Sequence, residues 1–208
     1  MWLYWLIFGV AAYMSLQGFR VQTTASKVKG PWSLSWMLCF SVLTLAIGLR
    51  HEVGGDWGSY LGHIDDAMGN SIENTSASLT DISYAYITWF GANVWGGIYI
   101  VNLSCAILFV WGLVSFCRLQ PRPWLALLTA VPYLITVVAM GYTRQGVAIG
   151  IALLGLSALT RGRLVYFLMW IFLAATFHKS VLVLVPLAIF SRNSNRFLIL
   201  MGTIISIP

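Results

Sequence analysis

Three short polar segments interrupt an otherwise apolar chain, and each carries side chains able to do chemistry. The first is Arg50-His51-Glu52-Val53-Gly54-Gly55-Asp56-Trp57-Gly58-Ser59-Tyr60, where two acids stand beside a base and three glycines let the backbone turn tightly or approach a ligand. The second is Tyr142-Thr143-Arg144-Gln145, opening a helical pattern. Thr143 is placed as its N-cap, and the free N–H groups of that first turn, with the Arg144 guanidinium, suit an anion such as phosphate. The third is Phe177-His178-Lys179-Ser180, whose imidazole suits proton transfer and whose ammonium suits anion binding. The simpler reading stands beside each. Arg144 can reach lipid headgroups, His178-Lys179 can mark a hairpin tip, and Glu52 and Asp56 can pair with Arg50 to brace a loop.

The charges around these segments are sorted. All 6 carboxylate side chains, Glu52, Asp56, Asp65, Asp66, Glu73 and Asp81, fall between positions 52 and 81, while the net charge is +6. Arg144 and Lys179 have no acid near them in sequence, so their counter-charges must come from the 52–81 segment, from headgroups or from an anionic ligand. Asp65, Asp66 and Glu73 read as solvated loop charges.

The elements that must position these groups are membrane helices. Hydrophobic residues make up 59% of the chain and charged ones 9%, against about 25% charged in soluble domains. The apolar runs do not alternate, which argues against a transmembrane barrel. The fold expected is all-α: one polytopic membrane domain over 1–208, with about seven spans and a partial eighth. Spans are expected near 2–16, 32–49, 97–116, 124–140 (kinked at Pro132) and 144–159. The stretch 164–190 is read as a short hairpin divided at His178-Lys179, and 197–208 as the partial span. The acidic segment 50–82 is expected as an extramembrane loop, with Ser83–Phe90 a short interfacial helix after it. Gly146 and Gly150 are expected to let another helix pack closely.

Orientation follows from the bases. Alternating helices put Arg20, Lys27, Lys29, Arg118, Arg122, Arg161, Arg163, Arg192 and Arg196 on one side, and Arg50, Arg144 and Lys179 on the other. The larger set belongs in the cytoplasm, which leaves the N-terminus and the 50–82 loop extracytoplasmic. Cys39, Cys105 and Cys117 lie in or at the end of apolar runs and are read as packing residues. No basic stripe suggests nucleic acid, no spacing marks a metal site and no cofactor is expected. Asn74-Thr75-Ser76 fits a glycosylation pattern that short sequences match by chance.

With these positions in view, the chain resembles the EpsG family of Wzy-type bacterial polysaccharide polymerases. The likeness rests on Gly48–Trp57 with Tyr60, on Tyr142–Ala148, and on Phe177–Ser180 with the apolar run to Pro186, in that order. Family members are generally longer, so Pro208 is read as an early end. The resemblance implies a glycosyltransferase of the bacterial cytoplasmic membrane. It would join oligosaccharide repeat units, carried on undecaprenyl pyrophosphate, into exopolysaccharide, capsule or O-antigen chains at the outer face. Export and chain-length proteins are the further partners it suggests. On this reading Arg50, Arg144, Gln145 and Lys179 bind substrate, and either His178 or Asp56 is the general base. The alternatives are a lipid-linked-oligosaccharide flippase or other transporter, and a non-catalytic membrane subunit of a polysaccharide assembly complex.

Overall fold

The computed structural model describes residues 2–17, 32–79 and 81–190, and these are all-α. The helices are α1 (Trp2–Gln17), α2 (Leu34–Gly48), α3 (Trp57–Ala67), α4 (Ile72–Ser78), α5 (Ile82–Asn93), α6 (Gly97–Cys117) and α7 (Pro123–Ala130). A π-helical stretch, Val131–Ala139, continues α7; α8 (Thr143–Leu159), α9 (Leu164–Ala175) and a 3₁₀ helix, Lys179–Phe190, follow. The expected partial span at 197–208 and the bases Arg20, Lys27, Lys29, Arg192 and Arg196 lie outside the described residues.

The bundle is organised around α6, which packs against α2, α5 and α8, while α8 packs in turn on α9. At 21 residues, α6 is the one helix among those described that is long and apolar enough to cross a membrane; α2, α8, α9 and the joined 123–139 helix are shorter and apolar. No charged residue occurs in α1, α2, α6 or α9. Leu34, Met37, Leu38 and Leu45 of α2, and Val165, Met169 and Phe172 of α9, nonetheless point outward and are exposed. Exposed apolar faces of this extent mark contact with something other than water.

Two local features set the geometry. The first is the α6–α8 crossing, where the backbones approach so closely that only glycine fits. A Cβ on Gly112 would sit 1.8 Å from the Gly150 carbonyl oxygen, and one on Gly150 would sit 2.4 Å from Phe109 Cα. The close packing expected of Gly150 is therefore present, against α6. The second is Pro132, which lacks an N–H and crowds the preceding turn. The helix widens there into π winding, and the Thr136 hydroxyl donates to the Val131 carbonyl at 2.8 Å.

The 50–82 segment carries helices of its own. It folds into α3 and α4, because Trp57, Tyr60, Ile64 and Ala67 recur at helical spacing and bury one face. The Ser71 hydroxyl caps α4 by accepting from Asn74 N–H at 3.3 Å. The helix expected at 83–90 runs longer, over all of α5. His178 and Lys179 sit at a turn, since Val181, Val185 and Ala188 of the 3₁₀ helix pack into the same core as Phe167, Ile171 and Ala174 of α9.

Candidate functional site

Where α2 ends, the chain turns back beneath the start of α8. Gly54 adopts φ +98°, and a Cβ there would lie 2.7 Å from Gly141 Cα, so the first and second polar segments meet backbone to backbone. Arg50 is buried at this junction, with 5% of its surface exposed. Its guanidinium donates to the Ile47 carbonyl at 3.0 Å, to Asn102 Oδ1 at 3.1 Å and to Thr143 Oγ1. The Thr143 hydroxyl in turn donates to Asn102 Oδ1 at 3.4 Å. Thr143 therefore does not cap α8 as expected: the capping position is Tyr142, and the threonine side chain is committed to Arg50 and Asn102.

Arg50 thus holds a buried charge on neutral acceptors. Among the described residues neither Glu52 nor Asp56 pairs with it; Glu52, at φ +52°, lies 3.8 Å from His51 instead. Hydrogen bonds to a charged group contribute roughly 1.5–3 kcal/mol each, so this junction is tied firmly. It also places Arg50 below the surface.

Arg144 emerges one residue beyond Thr143. Its Nη1 lies 3.1 Å from Asp81 Oδ2, with the carboxylate buried and the guanidinium part-exposed, at side-chain exposures of 6% and 29%. The same guanidinium sits 5.8 Å from the centre of the Tyr84 ring, which is fully buried. The counter-charge thus comes from the 52–81 segment, one of the sources expected. His63 of α3 is half-buried close enough to feel this charge. Burial, and then Arg144, push its pKa below the ordinary value, with Asp66 acting weakly the other way.

The third segment joins through α5. The Ser83 and Thr176 hydroxyls are 2.6 Å apart, and Ser83 N–H donates to the Thr176 carbonyl at 3.2 Å. Phe177 is buried in the cluster that also holds Tyr60, Tyr84 and Val147. His178, the next residue, is half-buried and Lys179 is exposed. Asp56 and Gln145 are half-buried, and among the described residues neither they, His178 nor Lys179 forms a side-chain hydrogen bond or ion pair. At the rim the Tyr99 hydroxyl and His51 Nδ1 are 2.8 Å apart, with Trp57 edge-on to the imidazole at 5.6 Å.

The first two polar segments are joined directly by Arg50–Thr143, and α5 reaches the second through Arg144–Asp81 and the threshold of the third through Ser83–Thr176. Sequence reasoning did not single out Asn102, Asp81, His63 or Tyr84. Asn102 had a visible signal, as a lone amide in the apolar run of α6. Asp81 was legible only as one of the six acids of the 52–81 segment, because which of them meets Arg144 depends on contacts between segments far apart in sequence. At the opposite end lie Arg118 after α6, Arg122 before α7, and Arg161 and Arg163 after α8.

Compared with known protein families, residues 33–208 match the model described as EpsG family. No curated protein and no solved structure matches the chain.

Proposed function

The chain belongs to the EpsG family, which together with its apolar helices makes it a membrane protein with a role in exopolysaccharide biosynthesis, and from that premise we propose that it is the polymerase. It would join oligosaccharide repeat units carried on undecaprenyl pyrophosphate, at the outer face of the cytoplasmic membrane. The observation that carries this reading is the convergence of the three polar segments at one end. Arg50, Arg144 and the Asp81 carboxylate stand there, with His178 and Lys179 shortly after Thr176, beside apolar helix faces suited to a polyprenyl chain. The orientation draws support from the arginines at the opposite end, Arg118, Arg122, Arg161 and Arg163, which fit the cytoplasmic side. About seven spans, with the N-terminus and the 50–82 segment outside, accommodate both ends.

The reaction asks for little covalent chemistry from the protein. A base removes the proton of an acceptor hydroxyl, and the oxygen attacks the anomeric carbon of the lipid-linked donor. The bond from that carbon to the diphosphate oxygen breaks, and its electron pair leaves with the diphosphate on the carrier lipid. Diphosphate departs without a strong acid, so positioning and charge stabilisation dominate. Arg144, part-exposed and able to exchange Asp81 for phosphate oxygens, is assigned to the leaving group with Lys179 in support. Gln145, one residue on, offers an amide to the same substrate. His178 and Asp56 are the candidate bases, since neither is engaged by another side chain among the described residues. Arg50, buried, acts through Thr143 as a positioning residue that fixes the first turn of α8.

The test is purified protein in proteoliposomes with a lipid-linked repeat unit. A ladder of lengthening glycan is expected. Translocation without new glycosidic bonds would instead identify a carrier, and binding with neither a non-catalytic subunit.

A further inference from the structure

A cavity of about 270 Å³ opens at the end of the bundle opposite the gathered polar segments, between the C-terminal ends of α6 and α8 and the start of α9. Its polar wall carries Arg118, Arg161 and Arg163, and its apolar wall carries Trp111, Tyr166 and Trp170. Arg118 follows Asn102 by 16 positions along α6, or about 24 Å at the rise of an α-helix, so this cavity is separate from the Arg50–Arg144 site. Trp111 and Trp170 meet edge to face at 5.8 Å, and the Arg163 guanidinium stands 5.8 Å from the Tyr166 ring. Arg161 and Arg163 are exposed. Among the described residues no carboxylate lines the cavity, and every acidic side chain of the chain lies between positions 52 and 81.

Arg161 and Arg163, both exposed and with no acid among the described lining residues, create a strong field for an anion, and the planar fork of arginine suits phosphate oxygens. The aromatic wall speaks to the rest of the ligand. Tryptophan and tyrosine favour the depth at which headgroup meets acyl chain, and here they are continuous with the exposed apolar face of α9 at Tyr166 and Met169. A free anion would have no use for such a wall, whereas a phospholipid uses both halves. Basic recesses between membrane helices on the cytoplasmic side recognise acidic headgroups in this way.

We propose that this cavity is a binding site for an acidic phospholipid, its phosphate held by Arg161, Arg163 and Arg118 and its acyl chains lying along Trp170 and the outer face of α9. The site stands apart from glycan chemistry, and its test needs no glycan. The full chain, purified in detergent, is supplemented with phosphatidylglycerol, with phosphatidylcholine or with millimolar inorganic phosphate, and its thermal unfolding is followed. Phosphatidylglycerol alone is expected to raise the midpoint of the wild type. The Arg161→Gln/Arg163→Gln variant should lose most of that rise while keeping the wild-type midpoint in phosphatidylcholine. Native mass spectrometry of the wild type supplies a readout that depends on no variant: phosphatidylglycerol should be retained at least about fivefold better than phosphatidylcholine. An equal rise in the variant, equal retention of the two lipids, or stabilisation by inorganic phosphate without any by phosphatidylglycerol would overturn the assignment.

Discussion

The Asp81 carboxylate lies 3.1 Å from the Arg144 guanidinium, and this ion pair fastens the last acid of the 52–81 segment to the first turn of α8. The two residues are 63 positions apart. The pair neutralises a cation at the edge of the bundle, with the guanidinium left part-exposed.

Asp81→Asn is therefore expected to leave Arg144 without its counter-charge. The stability lost should be about 1 kcal/mol, less than for a fully buried pair because the guanidinium is part-exposed and screened. If Arg144 meets diphosphate, the same variant should bind lipid-linked substrate at least as tightly as wild type, since no carboxylate competes. Substrate titration in nanodiscs checks this, and weaker binding would contradict it.

Gly112→Ala should be far more damaging than its size suggests. The added methyl would fall 1.8 Å from the Gly150 carbonyl oxygen, so α6 and α8 must separate, and a loss of at least about 1–3 kcal/mol is expected. Gly62→Ala is the control: it meets nothing within 4 Å and replaces a glycine inside α3, which should leave stability unchanged or raise it by up to about 1 kcal/mol. Thermal midpoints in one detergent decide the comparison.

Much of this fold could be read from the residues. The apolar runs ended where the helices end, within a residue or two for α2, α6 and α8, because each run is bounded by a charge, a glycine or a proline. The 50–82 segment was harder to read. Its helical spacing of Trp57, Tyr60, Ile64 and Ala67 is laid over glycines and all the acids of the chain, and composition pointed to a loop. Residue type picked out Arg50, Arg144 and His178, but not that Arg50 would be buried. An arginine at the end of an apolar run reads the same whether it faces headgroups or, as here, the amide of Asn102 on a neighbouring helix.

Acid should weaken the protein through His63. Burial and the Arg144 charge hold its folded pKa below 6.5. As pH falls below that value, the unfolded chain takes up a proton that the folded chain resists, and stability present above it is progressively lost. His63→Gln should flatten the fall in unfolding midpoint between neutral and acidic pH. An unchanged slope would remove His63 from the account.

The two ends of the bundle should label from opposite sides of the membrane. Ser59→Cys, exposed on α3, should react with an impermeant maleimide added to intact cells, whereas Arg161→Cys should react only after permeabilisation. Cys39, Cys105 and Cys117, each wholly or partly buried, are replaced or used as the background control. Labelling of position 161 from outside would reverse the orientation and move the polar cluster to the cytosol.

The most direct measurement is chain elongation by Arg144→Ala in proteoliposomes supplied with the lipid-linked repeat unit, beside wild type and after confirming that the variant is inserted and folded. Loss of the glycan ladder in the variant, with the wild type elongating normally, is the result predicted. Polymer of normal length and rate from the folded variant would contradict the assignment of this cluster as the polymerising site.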